Sequence, residues 1–275
     1  MSVSTLMVCL RVGRSNAEAL AVAADVGRRF GAQIIGVAAR QASTYGFVRG
    51  SGPFEPIGHD ARKFIDQAEA AEQEFRAALA GLGPLDWRTQ ITSGPAYEFV
   101  SQEARSADLV IASIDAHERP LFPSGQAEVG DLLMRAGRPI LTAPAGVRGL
   151  SFGQALVCFK EAREARRALA DALPLLREMA RVHVVEIVEA GSNEDAERRL
   201  ADVGAWLARH GVSADHAAIE NRGAAADQLA ALALALGAEL IVAGAFGHSR
   251  LREWAFGGVT RDLVLRSDRC VLSSH

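Results

Sequence analysis

Four glycines and a threonine near the C-terminal end have the types and spacing to hold an anion. Gly244 and Gly247 stand three apart, nine residues follow, and then come Gly257, Gly258, Val259 and Thr260. Glycine lets a backbone reach positive φ and approach a ligand closely. A helix predicted over residues 259–266 would present unpaired N–H groups, and its dipole favours a phosphate. Thr260 adds a hydroxyl. The chemistry would be capture of phosphate by backbone donors. The same glycines also suit a tight strand-to-helix turn that binds nothing, and the spacing alone leaves both readings open.

Other reactive residue types are sparse. His248 and Arg250 lie in the spacer, where they could touch a phosphate or simply face water. Trp254 and Phe256, in the same spacer, suit packing of that loop onto its domain. The run from His183 to Glu186 reads as strand and lacks the helical histidine pair of zinc proteases. No G-x-S-x-G nucleophile elbow occurs, and no G-x-G-x-x-G follows the first strand. Cys9, Cys158 and Cys270 each sit in a short apolar run, as buried free thiols do.

These residues belong to a chain of 275 with 49% apolar content and a formal net charge of -3 from 30 basic and 33 acidic residues. That length suits two domains. The balanced charge argues against a nucleic-acid partner. No apolar run approaches the roughly 18 residues of a membrane span. The N-terminus has no cationic start of a signal peptide. The expectation is a cytoplasmic protein with no membrane or nucleic-acid partner.

The chain is written twice. Val8–Arg11 is answered by Val157–Lys160 at an offset of 149. The segments starting at Ala107 and Arg138 are answered from Ala238 and Arg269 at an offset of 131. The first half therefore carries 18 extra residues between its first and fourth strands, and the Gly- and Pro-containing segment 42–58 accounts for most of them. Tyr45, Phe47 and Phe54 in that segment suit a cover over a pocket or a partner surface, or packing over the sheet edge. In the first half, strands are predicted at 6–10, 33–38, 87–92, 109–113 and 140–143. Helices are predicted at 16–30, 60–82, 97–106 and 129–136. The second half repeats this from Ala155 to Ser273. Pro174 interrupts a predicted helix over 165–179 and predicts a kink or a late start. Trp206 sits on an amphipathic helix and reads as core. Short apolar strands alternating with helices imply a parallel sheet covered on both faces. Domains of 1–146 and 153–275 follow.

The phrase from Gly247 to Val264, with G-x-x-G, nine residues, then G-G-V-T, resembles the nucleotide loop of the universal stress protein family, tandem bacterial members above all. The resemblance covers the whole chain. It implies an α/β fold of two tandem, doubly wound, open five-stranded parallel sheets of order 3-2-1-4-5, Rossmann-like, with helices on both faces. It implies a role in stress response and, in some members, ATP or AMP binding. A phosphate site would then comprise Gly244, Gly247, His248, Arg250, Gly257, Gly258, Val259 and Thr260, with Mg²⁺ if a triphosphate is bound. In ATP-binding members a serine or threonine follows the third glycine, and here that residue is Gly258. Those members also carry an adenine-reading aspartate at the end of the first strand. Arg11 and Lys160 stand at the matching positions, so an acceptor has become a donor. Lys160 is thus placed near the base site, or is a solvated strand-end residue.

In the first half the glycine positions are Ser113, Ala116, Gln126 and Ala127, and Pro120 and Pro123 stiffen the loop. His117 and Arg119 answer His248 and Arg250. These side chains would obstruct the same backbone path, so no phosphate site is expected there. Because the last strands of two such domains pair edge to edge in this family, strands 140–143 and 270–273 are expected to meet as an intramolecular pseudo-dimer. That pseudo-dimer could itself form a homodimer. Three functions remain in view: non-catalytic nucleotide binding in the second domain with an unknown protein partner, weak ATP hydrolysis at the same loop, or a ligand-free interaction module.

Overall fold

The computed structural model describes residues 2–42, 57–114, 126–189, 191, 193–245 and 258–275, the side chains of 57–61 excepted. The first half runs β1 (Thr5–Cys9), α1 (Ala17–Phe30), β2 (Gln33–Gln41), α2 (Ile57–Ala78), β3 (Leu85–Thr92), α3 (Ala96–Glu103), β4 (Leu109–Ile114), α4 (Val129–Arg135) and β5 (Ile140–Pro144). The second runs β6 (Gln154–Cys158), α5 (Arg163–Leu176), β7 (Arg181–Val188), α6 (Asn193–Arg209), β8 (Ala214–Glu220), α7 (Ala225–Leu236), β9 (Ala238–Gly244), α8 (Gly258–Arg266) and β10 (Cys270–Ser274).

Local chemistry sets the element ends. α1 stops at Gly31, whose φ of 63° lets its N–H reach back to the Gly27 carbonyl. α5 begins at Arg163, earlier than expected, so the predicted late start does not occur. Pro174 falls in its last turn, where it cannot donate the N–H of an i to i−4 bond, and the helix ends two residues later.

The strands form one ten-stranded sheet of order β3-β2-β1-β4-β5-β10-β9-β6-β7-β8. Each half keeps the expected order 3-2-1-4-5, and the expected pairing of the two last strands joins the five-stranded halves into this one sheet. β5 and β10 pair antiparallel, so neither half has an open edge at its last strand. Leu141 faces Leu272, Thr142 faces Val271 and Ile140 faces Ser273. The offset of 131 carries each of these pairs into another, which places a pseudo-twofold axis at the Leu141–Leu272 pair. The Thr142 hydroxyl donates to the Val271 carbonyl at 3.1 Å across this seam.

Helices α1, α2, α5 and α6 cover one face, where a single apolar core runs through both halves and includes Leu20, Leu141, Leu169 and Leu272. The opposite face carries two cores. They interlock at the axis: Ile114 packs into the second half's core, and Ala245, its counterpart, packs into the first half's. Burial of this apolar surface is the main force joining the halves. Cys9, Cys158 and Cys270 are free thiols, as expected. Burial pushes the Cys9 thiol up to about 11 and Cys158 to about 12. Cys270 is also raised to about 12, by burial and then by the charge of Glu239. Such thiols are inert at neutral pH.

Candidate functional site

The carboxyl ends of β6 and β9 meet in the second half, where ligands of open parallel sheets bind. Gly244 ends β9 directly beneath the first turn of α5. A Cβ on it would lie 2.6 Å from the Ala165 nitrogen and 2.6 Å from the Glu164 carbonyl carbon. Those are backbone atoms of a helix and cannot swing aside. Glycine is therefore required here by helix packing, whatever the loop binds. The Thr260 hydroxyl donates to the Gly244 carbonyl at 2.7 Å. The hydroxyl that would hold a phosphate is thus engaged in tying the start of α8 to the end of β9. Beside it, the Ala245 N–H donates to the Ser274 carbonyl at 2.8 Å.

Gly258 differs. It is the first residue of α8, exposed, and a Cβ built on it meets nothing within 4 Å among the described residues. Val259 is also exposed. Gly247, His248, Arg250 and Gly257 lie outside the described residues, as do Trp254 and Phe256. Lys160 is exposed at the strand end and has no hydrogen bond or ion pair among the described residues. It follows Phe159, whose N–H donates to the Val185 carbonyl at 2.8 Å.

The first half is built differently at each of these points. Its β1–α1 connection spans residues 10–16, against residues 159–162 in the second half. The longer loop is locked by Asn16, which is fully buried. The Asn16 Oδ1 accepts from the Arg11 N–H at 2.7 Å, and its Nδ2 donates to the Arg11 carbonyl at 3.1 Å. Glu74 of α2 accepts from the Asn16 N–H at 3.0 Å and from its Nδ2 at 3.2 Å. Gln126, the counterpart of Gly257, turns onto this loop. Its Oε1 accepts from the Val12 N–H at 3.0 Å and its Nε2 donates to the Val12 carbonyl at 3.3 Å. Ser113, the counterpart of Gly244, has a buried hydroxyl without a hydrogen-bond partner among the described residues. Ala127 is half-buried against the core of that face. Glu128, one residue on, has its carboxyl raised by burial and by Asp131, against the favourable charge of Arg11. Ala116, His117, Arg119, Pro120 and Pro123 lie outside the described residues, and so do Tyr45, Phe47 and Phe54.

Neither the Asn16–Glu74 lock nor the Gln126–Val12 pair was legible in the sequence. The partners are 58 and 114 residues apart and share no motif. Among the described residues no group of three or more His, Cys, Asp or Glu could hold a metal ion, and no helix is long and apolar enough to cross a membrane.

No protein-family model matches this sequence, and no curated protein matches it. Solved structures do. A universal stress protein from Archaeoglobus fulgidus DSM 4304 aligns over 98% of this chain and 97% of its own, with a TM-score of 0.77 at 13% identity. A putative universal stress protein from Pseudomonas aeruginosa UCBPP-PA14 aligns over 99% and 93%, with a TM-score of 0.60 at 16% identity. A functionally unknown protein from Pseudomonas aeruginosa PAO1 gives a TM-score of 0.60 over 99% and 92%. At these identities the likeness is one of fold, and it extends to the tandem arrangement.

Proposed function

We propose, from the premise that this chain has the tandem universal stress protein fold, that it is a non-catalytic stress-response protein of that family. In this reading it has two domains, 1–146 and 153–275, and binds an adenine nucleotide, with Mg²⁺ when it is ATP, in the second alone. The observation that carries the asymmetry is the Gln126 side chain. In the first half a carboxamide occupies both polar groups of Val12 at the sheet's carboxyl edge. A donor–acceptor pair that a ligand would use is satisfied from within. In the second half the matching position is a glycine, and Gly258, at the start of α8, is exposed. The unpaired N–H groups of that turn and the helix dipole suit a phosphate.

A ligand-free interaction module is the second reading, and it has its own support. Gly244 is explained by the packing of α5, and Thr260 by its bond to Gly244. Calorimetric titration of ligand-stripped protein with Mg-ATP separates the two. Nucleotide binding predicts saturation near one site per chain. It also predicts that Gly258→Glu removes the signal while the protein stays folded, because a Cβ there meets nothing within 4 Å among the described residues. No heat at millimolar ATP would retire the nucleotide reading and leave the glycines as turn architecture. Phosphate release above the Gly258→Glu background would contradict the non-catalytic part.

A further inference from the structure

The second half contains a pocket of about 350 Å³ outside the glycine loop. Its origin is the short β6–α5 connection. In the first half, Val12 from the longer loop packs between β2 and α2, against Ala38, Phe64, Ala68 and Ala71. The second half lacks the loop residues that would do this. There α5 packs over β9 and β10, while α6 packs over β7 and β8, and the ground above the end of β6 is left open between them. The wall is apolar: Phe159, Leu169, Val203 and Trp206. Trp206 is not simply core, as the sequence pattern suggests. It is half-buried, with the His210 ring 4.4 Å from it, and lines this opening.

The rim is charged but nearly balanced. Arg166 is paired with Glu161. Arg199 is occupied by Glu186, which accepts from its Nε at 3.3 Å and its Nη2 at 2.8 Å. Glu186 stands on β7 where the first half has Ala38 and is almost fully buried. Asp202 is the remaining rim charge. It is exposed and has no ion pair or hydrogen bond among the described residues. Two arginines thus meet three carboxylates, and the excess negative charge lies on the one without a partner.

We propose that this pocket binds a small organic cation with an apolar body, such as an arylalkylamine, its ammonium at Asp202 and its body against Trp206 and Phe159. A pocket of this size falls at the lower end of small-ligand sites, which are lined mainly by apolar and aromatic side chains with few polar groups. An aromatic wall beside a carboxylate attracts a cation both through the ring and through the charge. None of the pocket's lining residues belongs to the glycine loop, but Phe159 and Glu161 flank Lys160, so competition with Mg-ATP is the measurement that separates this pocket from a base site.

The test is a titration of the full chain with phenethylammonium, followed through the methyl signals of Leu169 and Val203, with phenylacetate and 2-phenylethanol as shape-matched anion and neutral probes. Saturable shifts with the cation and weaker ones with the other two are expected. Asp202→Asn, a surface change that leaves folding intact, should weaken the cation about fivefold. Val203→Trp, which fills the opening, should abolish the shifts of the Leu169 methyls. Equal or tighter binding of phenylacetate, no effect of Asp202→Asn, or no methyl shifts at millimolar probe would each overturn the proposal. Displacement of the probe by Mg-ATP would also overturn it, by assigning the pocket to the nucleotide.

Discussion

Gly244 at the end of β9 lies against the backbone of Ala165 in the first turn of α5, so closely that a methyl group would sit 2.6 Å from the Ala165 nitrogen. Gly258, fourteen residues on and part of the same sequence motif, has nothing within 4 Å of that position among the described residues. Two glycines that look alike in the motif therefore answer to different constraints. Gly244→Ala should destabilise the protein by about 1–3 kcal/mol through overpacking against a helix backbone that has little room to move. Gly258→Ala should be neutral or stabilising by up to about 1 kcal/mol, through a less flexible unfolded chain. Urea denaturation of the two variants measures both. A tolerated Gly244→Ala would show that α5 shifts easily from β9.

Gln126 should be worth more to the first half than an ordinary surface glutamine. Gln126→Ala leaves the Val12 N–H and carbonyl without their side-chain partner beneath the loop, at a cost of about 1–3 kcal/mol. The urea midpoint should fall with the slope unchanged. A midpoint equal to the parent would mean that water replaces the carboxamide at no cost.

The Glu186–Arg199 pair should show the asymmetry of a buried charge. Arg199→Met strands a carboxylate that is 5% exposed, and the thermal midpoint should drop clearly. Adding Glu186→Ala, the residue the first half carries at position 38, removes the stranded charge and should recover more than half of that loss. Additive losses in the double variant would show that the pair contributes packing and no charge compensation.

Glu128 gives a pH dependence of known sign. Burial, then repulsion from Asp131, raises its folded-state carboxyl above the ordinary value of 4.5. A carboxyl that binds its proton more tightly when folded stabilises the protein below the unfolded value, and the contribution is lost as pH rises through the folded one. At pH 7 the charged form is a burden. Glu128→Gln should therefore raise the thermal midpoint at pH 7, and the gap to the parent should close as pH falls to the ordinary carboxylate range. A gap independent of pH would assign the effect to packing.

The repeat itself was plain in the sequence. Two offsets, 149 and 131, match the strands of one half to those of the other, because parallel strands buried on two faces must be apolar runs and leave a strong pattern, while their order in the sheet came from the family resemblance. The meeting of strands 140–143 and 270–273 also followed from sequence, on the strength of the family resemblance, and β5 and β10 do pair. The glycine loop was visible as a motif, but its meaning was not. That Gly244 is held by α5 depends on where a helix 81 residues earlier in the chain begins, which no local pattern encodes.

What the sequence determined by itself is periodicity: which segments are strands, which are helices, and that the domain occurs twice. It determined these because strands buried on both faces read as short apolar runs, while burial repeats every 3.6 residues in a helix. What only the tertiary structure decided is the difference between the halves. A loop of residues 10–16 fills the first half's groove with Val12 and lets Gln126 close over it, while the connection of residues 159–162 leaves the second half open beside Trp206. Such differences rest on contacts between residues far apart in the chain, where a few missing atoms make a cavity, and a cavity leaves no periodic trace in the sequence.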